Sequence, residues 1–180
     1  KNFEINKKQF EILKSLQKFF FQKKKLISIF SKKSNKSCFY LYGKVGVGKT
    51  LILDHIFKEL DLKKKRSHFN EFMVEFHNFR HKKKGNRSII SFVKDFKEKY
   101  KVLYLDEFQV SNIVDAMILG KLFEVIFKEN IKVILSSNTK PNELYKDGLQ
   151  RDQFMPFISI IENFSIQKEL QIKDDYRTQN

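Results

Sequence analysis

A glycine, four residues, then Gly-Lys-Thr: the stretch Gly43-Lys44-Val45-Gly46-Val47-Gly48-Lys49-Thr50 has the residue types and spacing of a phosphate-binding P-loop. Glycines let a backbone curl until successive amide N–H groups point inward at phosphate oxygens. The start of the helix that follows adds partial positive charge. Lys49 is long enough to reach the β- and γ-phosphates of a nucleoside triphosphate, and Thr50 offers a hydroxyl to Mg2+. A second group of residues suits hydrolysis. Asp106 and Glu107 close an apolar run, where Asp106 is expected to hold Mg2+ through metal-bound water. Glu107 is expected to take a proton from the attacking water as general base. A small-molecule kinase passes its phosphoryl group to a bound acceptor and has no use for that second acid, so the pair points to hydrolysis.

Two further side chains complete the candidate set. Asn138 ends another apolar run and is placed to orient water between Glu107 and the γ-phosphate; the alternative is a turn residue before Thr139-Lys140-Pro141. Arg151 follows Gly148-Leu149-Gln150 and opens a helix. There it could reach a neighbouring subunit's γ-phosphate and stabilise transition-state charge, or simply pair with Asp147 or Asp152. Asn138-Thr139-Lys140-Pro141 is not the Asn-Lys-x-Asp guanine-reading motif, so ATP is the nucleotide expected.

The elements that must position these groups are visible as apolar patterns. Cys38-Phe39-Tyr40-Leu41-Tyr42 reads as a buried strand running into the P-loop, and the residues from Leu51 to Phe57 as the helix after it. Val102-Leu103-Tyr104-Leu105 and Lys132-Val133-Ile134-Leu135-Ser136-Ser137 are further buried strands, each delivering a polar group at its end. Arg66 to Met73 starts as a strand and turns helical from Phe72. Ile90, Val93, Phe96 and Tyr100 mark an amphipathic helix. Another carries Ile113, Met117, Leu119, Leu122, Phe123, Ile126 and Phe127, and a third Phe154, Phe157, Ile158 and Ile161. Ser165-Ile166-Gln167-Lys168-Glu169-Leu170 alternates as a closing strand. Residues 1–36 form an arm in which Phe10, Leu13, Leu16 and Phe20 recur at helical spacing, with a polar linker at 31–37. Core packing beside the nucleotide pocket is the expected use of that stripe, and docking to a partner or an anionic membrane surface the alternative. The chain therefore divides into this arm and an ATPase core over 37–180.

Composition narrows the rest. At 180 residues, 41% hydrophobic and with 20 phenylalanines, the chain can build one substantial core. No run approaches the length of a membrane span and no secretory signal opens the sequence, which begins at Lys1. The lone Cys38 cannot form an intramolecular disulfide and fits a reducing compartment. His68 and His77 lack the neighbours of a metal site and are expected to be structural. The net charge of +15 suggests an anionic partner such as nucleic acid, but Lys outnumbers Arg 31 to five, and that with abundant Phe, Ile and Asn has the look of AT-rich coding. Lysine runs at 23–25, 63–65 and 82–84 read as solvated loops and helix ends.

Together these residues resemble the ZapE-type cell-division ATPases of bacteria and their mitochondrial AFG-like relatives, a branch of the AAA+ ATPases. The resemblance rests on Tyr40-Leu41-Tyr42-Gly43, His68-Phe69-Asn70-Glu71-Phe72-Met73, Leu105-Asp106-Glu107-Phe108-Gln109-Val110 and Asp115-Ala116-Met117-Ile118-Leu119-Gly120. It continues through Ser137-Asn138, Asn142-Glu143-Leu144-Tyr145, Gly148-Leu149-Gln150-Arg151 and Asp175-Tyr176-Arg177. It implies an α/β RecA-like core, its parallel strands in the order 5-1-4-3-2 with helices on both faces. It also implies Lys49, Thr50 and the P-loop on ATP, Asp106 and Glu107 as metal and base acids, Asn138 as sensor, and Arg151 as a finger acting in trans. Family members continue into a helical lid, so a lid-borne sensor arginine is expected outside these residues. Gln109 stands where bacterial members often have His. The expectation is a Mg2+-dependent, self-associating ATPase of the bacterial cytoplasm, acting on the division ring or in protein quality control; a mitochondrial matrix protein is the second choice. The rival expectations are a DNA-associated loader or initiator and a nucleotide-gated adaptor with little turnover.

Overall fold

The computed structural model describes residues 7–21, 36–83 and 88–171. The lysine run at 23–25, most of the linker expected at 31–37 and the segment Asp175-Tyr176-Arg177 lie outside the described residues.

Five short strands form one all-parallel sheet: β1 (Cys38–Tyr42), β2 (Lys64–His68), β3 (Val102–Asp106), β4 (Lys132–Ser137) and β5 (Ser165–Glu169). Their order across the sheet is β2-β3-β4-β1-β5, the 5-1-4-3-2 arrangement implied by the resemblance. Parallel strands need covering on both faces, and the central three alternate accordingly. Cys38 and Tyr40, Leu103 and Leu105, Val133 and Leu135 enter one apolar cluster, while Phe39, Leu41, Tyr104 and Ile134 enter the other. The edge strands β2 and β5 are polar and lysine-bearing, which discourages pairing with another chain.

Among the described residues six α-helices cover the sheet: α1 (Lys7–Phe21), α2 (Lys49–Glu59), α3 (Phe69–Lys82), α4 (Ser88–Lys99), α5 (Ile113–Lys128) and α6 (Arg151–Phe164). The larger cluster lies under α3, α4, α5 and α6; the smaller lies under α1 and α2. Phe108, fully buried just past β3, packs its ring on Phe69, Phe123 and Phe157 at centroid distances of 4.6, 6.1 and 5.6 Å. Those rings come from α3, α5 and α6, so the turn that carries Asp106 and Glu107 is anchored from three sides.

Several helix faces differ in detail from the sequence expectation. In α1 the buried residues are Ile12, Leu13, Leu16 and Phe19 with Gln9, whereas Phe10 is half exposed. α1 thus packs on α2 and β1, and Leu16 reaches zero exposure. Ile90 and Met117 likewise face outward, leaving Phe92, Val93 and Phe96 as the core of α4. α3 begins at Phe69, three residues before the helical pattern becomes clear, because Phe69 is drawn under Phe108 and Glu71 accepts a bond from the His68 N–H at 3.4 Å.

If α1 is part of the core, Leu16→Ala leaves a cavity and lowers unfolding free energy by about 2–5 kcal/mol. Phe10→Ala, on the outer face, is expected to change it by less than about 0.5 kcal/mol. Urea denaturation of the two variants checks the assignment, and equal effects would contradict it.

Candidate active site

In a parallel sheet the C-terminal ends of the strands open on one edge, and a crevice there collects whatever the strand ends carry. Here that edge holds the P-loop after β1, Asp106 and Glu107 at the end of β3, and Asn138 just after β4. The alignment is fixed by hydrogen bonds between strand ends. The Gly43 N–H donates to the Ser137 carbonyl at 3.2 Å, and the Phe108 N–H to the Ser136 carbonyl at 2.7 Å. The Ser137 hydroxyl donates to the Phe108 carbonyl at 2.7 Å, and the Tyr40 hydroxyl to that of Thr139 at 2.8 Å.

The loop's shape needs its glycines. Gly46 and Gly48 have φ of +81° and +89°, in the left-handed region, and Gly43 stands at +155°. A Cβ on Gly43 would sit 2.2 Å from the Leu170 carbonyl oxygen, so no side chain fits between the loop and the end of β5. Around Gly46 the reverse holds: a Cβ there would meet nothing within 4 Å. Lys44, Val45 and Gly46 are exposed, while Val47 is buried in the smaller cluster as the loop's anchor.

Lys49 is the junction of the site. It is buried, and its ammonium donates to the carbonyls of Gly43 at 2.7 Å and Lys44 at 2.9 Å and to Asn138 Oδ1 at 3.0 Å. Burial pulls its pKa down and the attraction of Asp106 pulls it partly back, leaving it lowered overall. Thr50, in the first turn of α2, is exposed.

Asp106 is almost fully buried yet both its oxygens are engaged: Oδ1 accepts the Glu107 N–H at 3.0 Å and Oδ2 accepts Arg66 Nη2 at 2.7 Å. Arg66, on β2, also gives Nη1 to Asp54 Oδ2 of α2 at 2.8 Å. Burial works against its charge, but Asp106, Tyr104 and Asp54 outweigh that and hold its pKa above the ordinary value. Glu107 has φ +53°, a strained conformation for a residue with a side chain. Its carboxylate is largely exposed and lies 3.8 Å from His68 Nδ1.

Lys49 is thus bonded to Asn138 and attracted by Asp106, while Glu107 stands at the same strand-end edge with its carboxylate exposed beside His68. Arg151 does not join them: at the start of α6 it donates Nη2 to the Asn142 carbonyl at 2.7 Å, in place of a pairing with Asp147 or Asp152. Sequence reading missed Arg66. It sits at the end of a lysine-rich run, and only the register of β2 against β3, which sets Arg66 beside Tyr104, reveals its reach to Asp106. His68 and His77 have local roles; His77 Nε2 lies 2.7 Å from Asp115 Oδ1, tying α3 to α5.

The donor set fits a triphosphate with Mg2+. Open space over Gly46, a buried ammonium bonded to loop carbonyls, a hydroxyl at Thr50 and a buried carboxylate at Asp106 are what such a group requires.

The two glycines separate shape from contact. Gly43→Ala forces β5 away from the loop and is expected to destabilise the fold by about 2–4 kcal/mol or more. Gly46→Ala carries only backbone strain, about 1–2 kcal/mol. Urea midpoints of the two variants test this, and a milder effect at Gly43 would contradict the placement of β5.

The comparisons with known proteins agree with this architecture. A family model described as AFG1-like ATPase matches residues 4–180. Lactation elevated protein 1 homolog B of Danio rerio is 39% identical over 153 residues, covering 78% of this chain and 30% of that protein. Cell division protein ZapE of Escherichia coli K12 is 38% identical over 140 residues, covering 77% of this chain and 37% of that one. The chain thus spans about a third of the length of the curated relatives it matches. Among solved structures, DnaI superposes with a TM-score of 0.67 at 20% identity, over 96% of this chain and 87% of that one. AMPPCP-bound DnaA from Aquifex aeolicus superposes at 0.66 with 18% identity, over 97% and 50%. At those identities the likeness is one of fold: an α/β RecA-like core. With its family model matched across nearly the whole sequence and its strand-end residues in place, this chain belongs to the AFG1-like ATPase family.

Proposed function

We propose that this chain is the catalytic core of a Mg2+-dependent ATPase that cleaves the β–γ phosphoanhydride of ATP. The observation that carries the reading is the convergence of Lys49, Asp106, Glu107 and Asn138 at adjoining strand ends, with Lys49 bonded to Asn138 across the crevice. The residues from Gly43 to Thr50 would cradle the phosphates, their amides facing the oxygens. Lys49, which donates to the carbonyls of Gly43 and Lys44, would exchange them for β- and γ-phosphate oxygens, which are stronger acceptors. Thr50 and Asp106 would hold Mg2+, directly and through water. Bound there, the cation neutralises charge developing on the phosphate oxygens.

Glu107 supplies the base. Its exposed carboxylate takes the proton of the attacking water while Asn138 orients that water through its amide. The new bond forms between the water oxygen and the γ-phosphorus; the bond to the β–γ bridging oxygen breaks, and ADP leaves with that electron pair. Lys49 counters charge on the phosphates throughout.

Arg151, at the start of α6, is bonded to the Asn142 carbonyl and, among the described residues, to none of the crevice side chains of its own subunit. A trans role follows: in an assembly, Arg151 of one copy would complete the site of the next. The similarity to a protein named for cell division supports a client in the division machinery of a bacterium; we propose the bacterial cytoplasm as its location and protein quality control as the other role. Among the described residues no helix is long and apolar enough to cross a membrane. The fold shared with DnaI and DnaA keeps a DNA-associated role as the second reading, and its mark would be DNA binding that falls steeply with salt.

One experiment tests base and finger together: Mg2+-dependent ATPase rate per subunit over a range of protein concentrations. The rate is expected to climb with concentration, to lose the climb in Arg151→Ala, and to fall by about 100-fold or more in Glu107→Gln with ATP binding kept. Normal turnover in Glu107→Gln would remove the base assignment. A flat, Arg151-independent rate would remove the finger.

A further inference from the structure

We propose that Arg66 competes with Mg2+ for Asp106, with Asp54 as its alternative partner, so that the Asp54–Arg66–Asp106 relay sets the cation affinity of the site. The assignment of Asp106 to Mg2+ underlies this step, and the experiment below separates the two.

Four observations carry it. First, Arg66 Nη2 donates to Asp106 Oδ2 at 2.7 Å, and Oδ1 is already used by the Glu107 N–H. A cation or its bound water that approaches this carboxylate therefore meets a guanidinium on the free side. Second, Arg66 already has one hand on the alternative: Nη1 donates to Asp54 Oδ2 at 2.8 Å. Third, the other oxygen of that carboxylate, Asp54 Oδ1, is buried and has no hydrogen-bond partner among the described residues. A buried acceptor without a donor is costly and favours any motion that supplies one. A guanidinium that releases Asp106 frees Nη2 for it, converting a single bond to Asp54 into a two-pronged pair. Fourth, the guanidinium lies over the Tyr104 ring, 5.1 Å from its centroid, and is partly exposed. The flat ring lets it shift between carboxylates without losing its stacking partner.

The charges give the direction. The relay holds two carboxylates and one guanidinium, with Lys49 adding attraction to Asp106 from the loop side. Bringing Mg2+ to Asp106 while Arg66 stays there sets like charges side by side; moving Arg66 to Asp54 separates them. Asp54 stands on α2 four residues after Thr50, so the landing site and the proposed magnesium hydroxyl ride on one helix turn. Arg66 is thus a positioning residue, acting on the cation only through Asp106.

Opposite signs are expected from its two partners. The test titrates Mg2+ into protein with a fluorescent, non-hydrolysable ATP analogue and reads the half-saturating Mg2+ concentration. Arg66→Gln removes the competitor and should lower that concentration by about three- to tenfold, the partial exposure of the pair limiting the gain. Asp54→Asn removes the charge of the landing site, leaves Arg66 on Asp106, and should raise it by a similar factor. Arg66→Lys, which keeps the charge, should remain near the parent value. A purely structural role would weaken binding in both Arg66→Gln and Asp54→Asn, so a rise or no change in Arg66→Gln overturns the relay. Asp106→Asn is the control for the underlying assignment. If it leaves the Mg2+ requirement untouched, the magnesium role of Asp106 falls and the relay with it. If it raises the half-saturating Mg2+ concentration while Arg66→Gln moves nothing, the relay alone falls.

Discussion

A buried ammonium must be given oxygen atoms, and the placement of Lys49 follows from that. An uncompensated charge removed from water is expensive enough that a group either finds acceptors or loses its proton. Lys49 finds three: two carbonyls of its own loop and the side chain of Asn138. The first two exist only because the loop curls back through Gly43, Gly46 and Gly48, and the third only because β4 lies directly beside β1. Loop conformation, strand order and the position of Asn138 are therefore one constraint. The same geometry suits a phosphate chain, since carbonyl oxygens that satisfy an ammonium are readily exchanged for charged ones.

The opposite wall of the crevice is held by aromatic packing. Phe108 follows Asp106 and Glu107 immediately and is clamped among Phe69, Phe123 and Phe157. This lets Glu107 be held at φ +53°, because the strain of that residue, about 1–3 kcal/mol, is set against a deeply buried ring next to it. The charged surface contributes far less. Pairs such as Lys121–Glu124 and Lys128–Glu124 are exposed, and such pairs stabilise a fold weakly. The lysine surplus is a solvated coat over a core made by phenylalanine and aliphatic residues.

Much of this was legible in the chain because the informative patterns are local. The P-loop is eight consecutive residues, and Asp106-Glu107 and Asn138 announce themselves by ending apolar runs. Element positions follow for the same reason. The strand order did not come from periodicity, since an apolar run says nothing about its neighbours; it came from the family resemblance and is the order found. Helix phase was harder. α1 ends in Phe19-Phe20-Phe21, where aromatic residues occupy every direction, and only the presence of Phe39 and α2 selects Phe19 for burial and leaves Phe10 outside. Arg66 was not legible at all. Its partners are 12 and 40 residues away, and in sequence it is one more cation after three lysines.

The central claim is that Lys49 gives up loop carbonyls and Asn138 for the phosphates of ATP. Calorimetric titration of ATP with Mg2+ into the parent chain and into Lys49→Ala tests it most directly. The account predicts measurable binding by the parent and a loss of about tenfold to a hundredfold in the variant, the worth of a charge-assisted hydrogen bond. Equal affinity in the two proteins would contradict it, because the one buried cation of the loop would then have no part in holding the nucleotide.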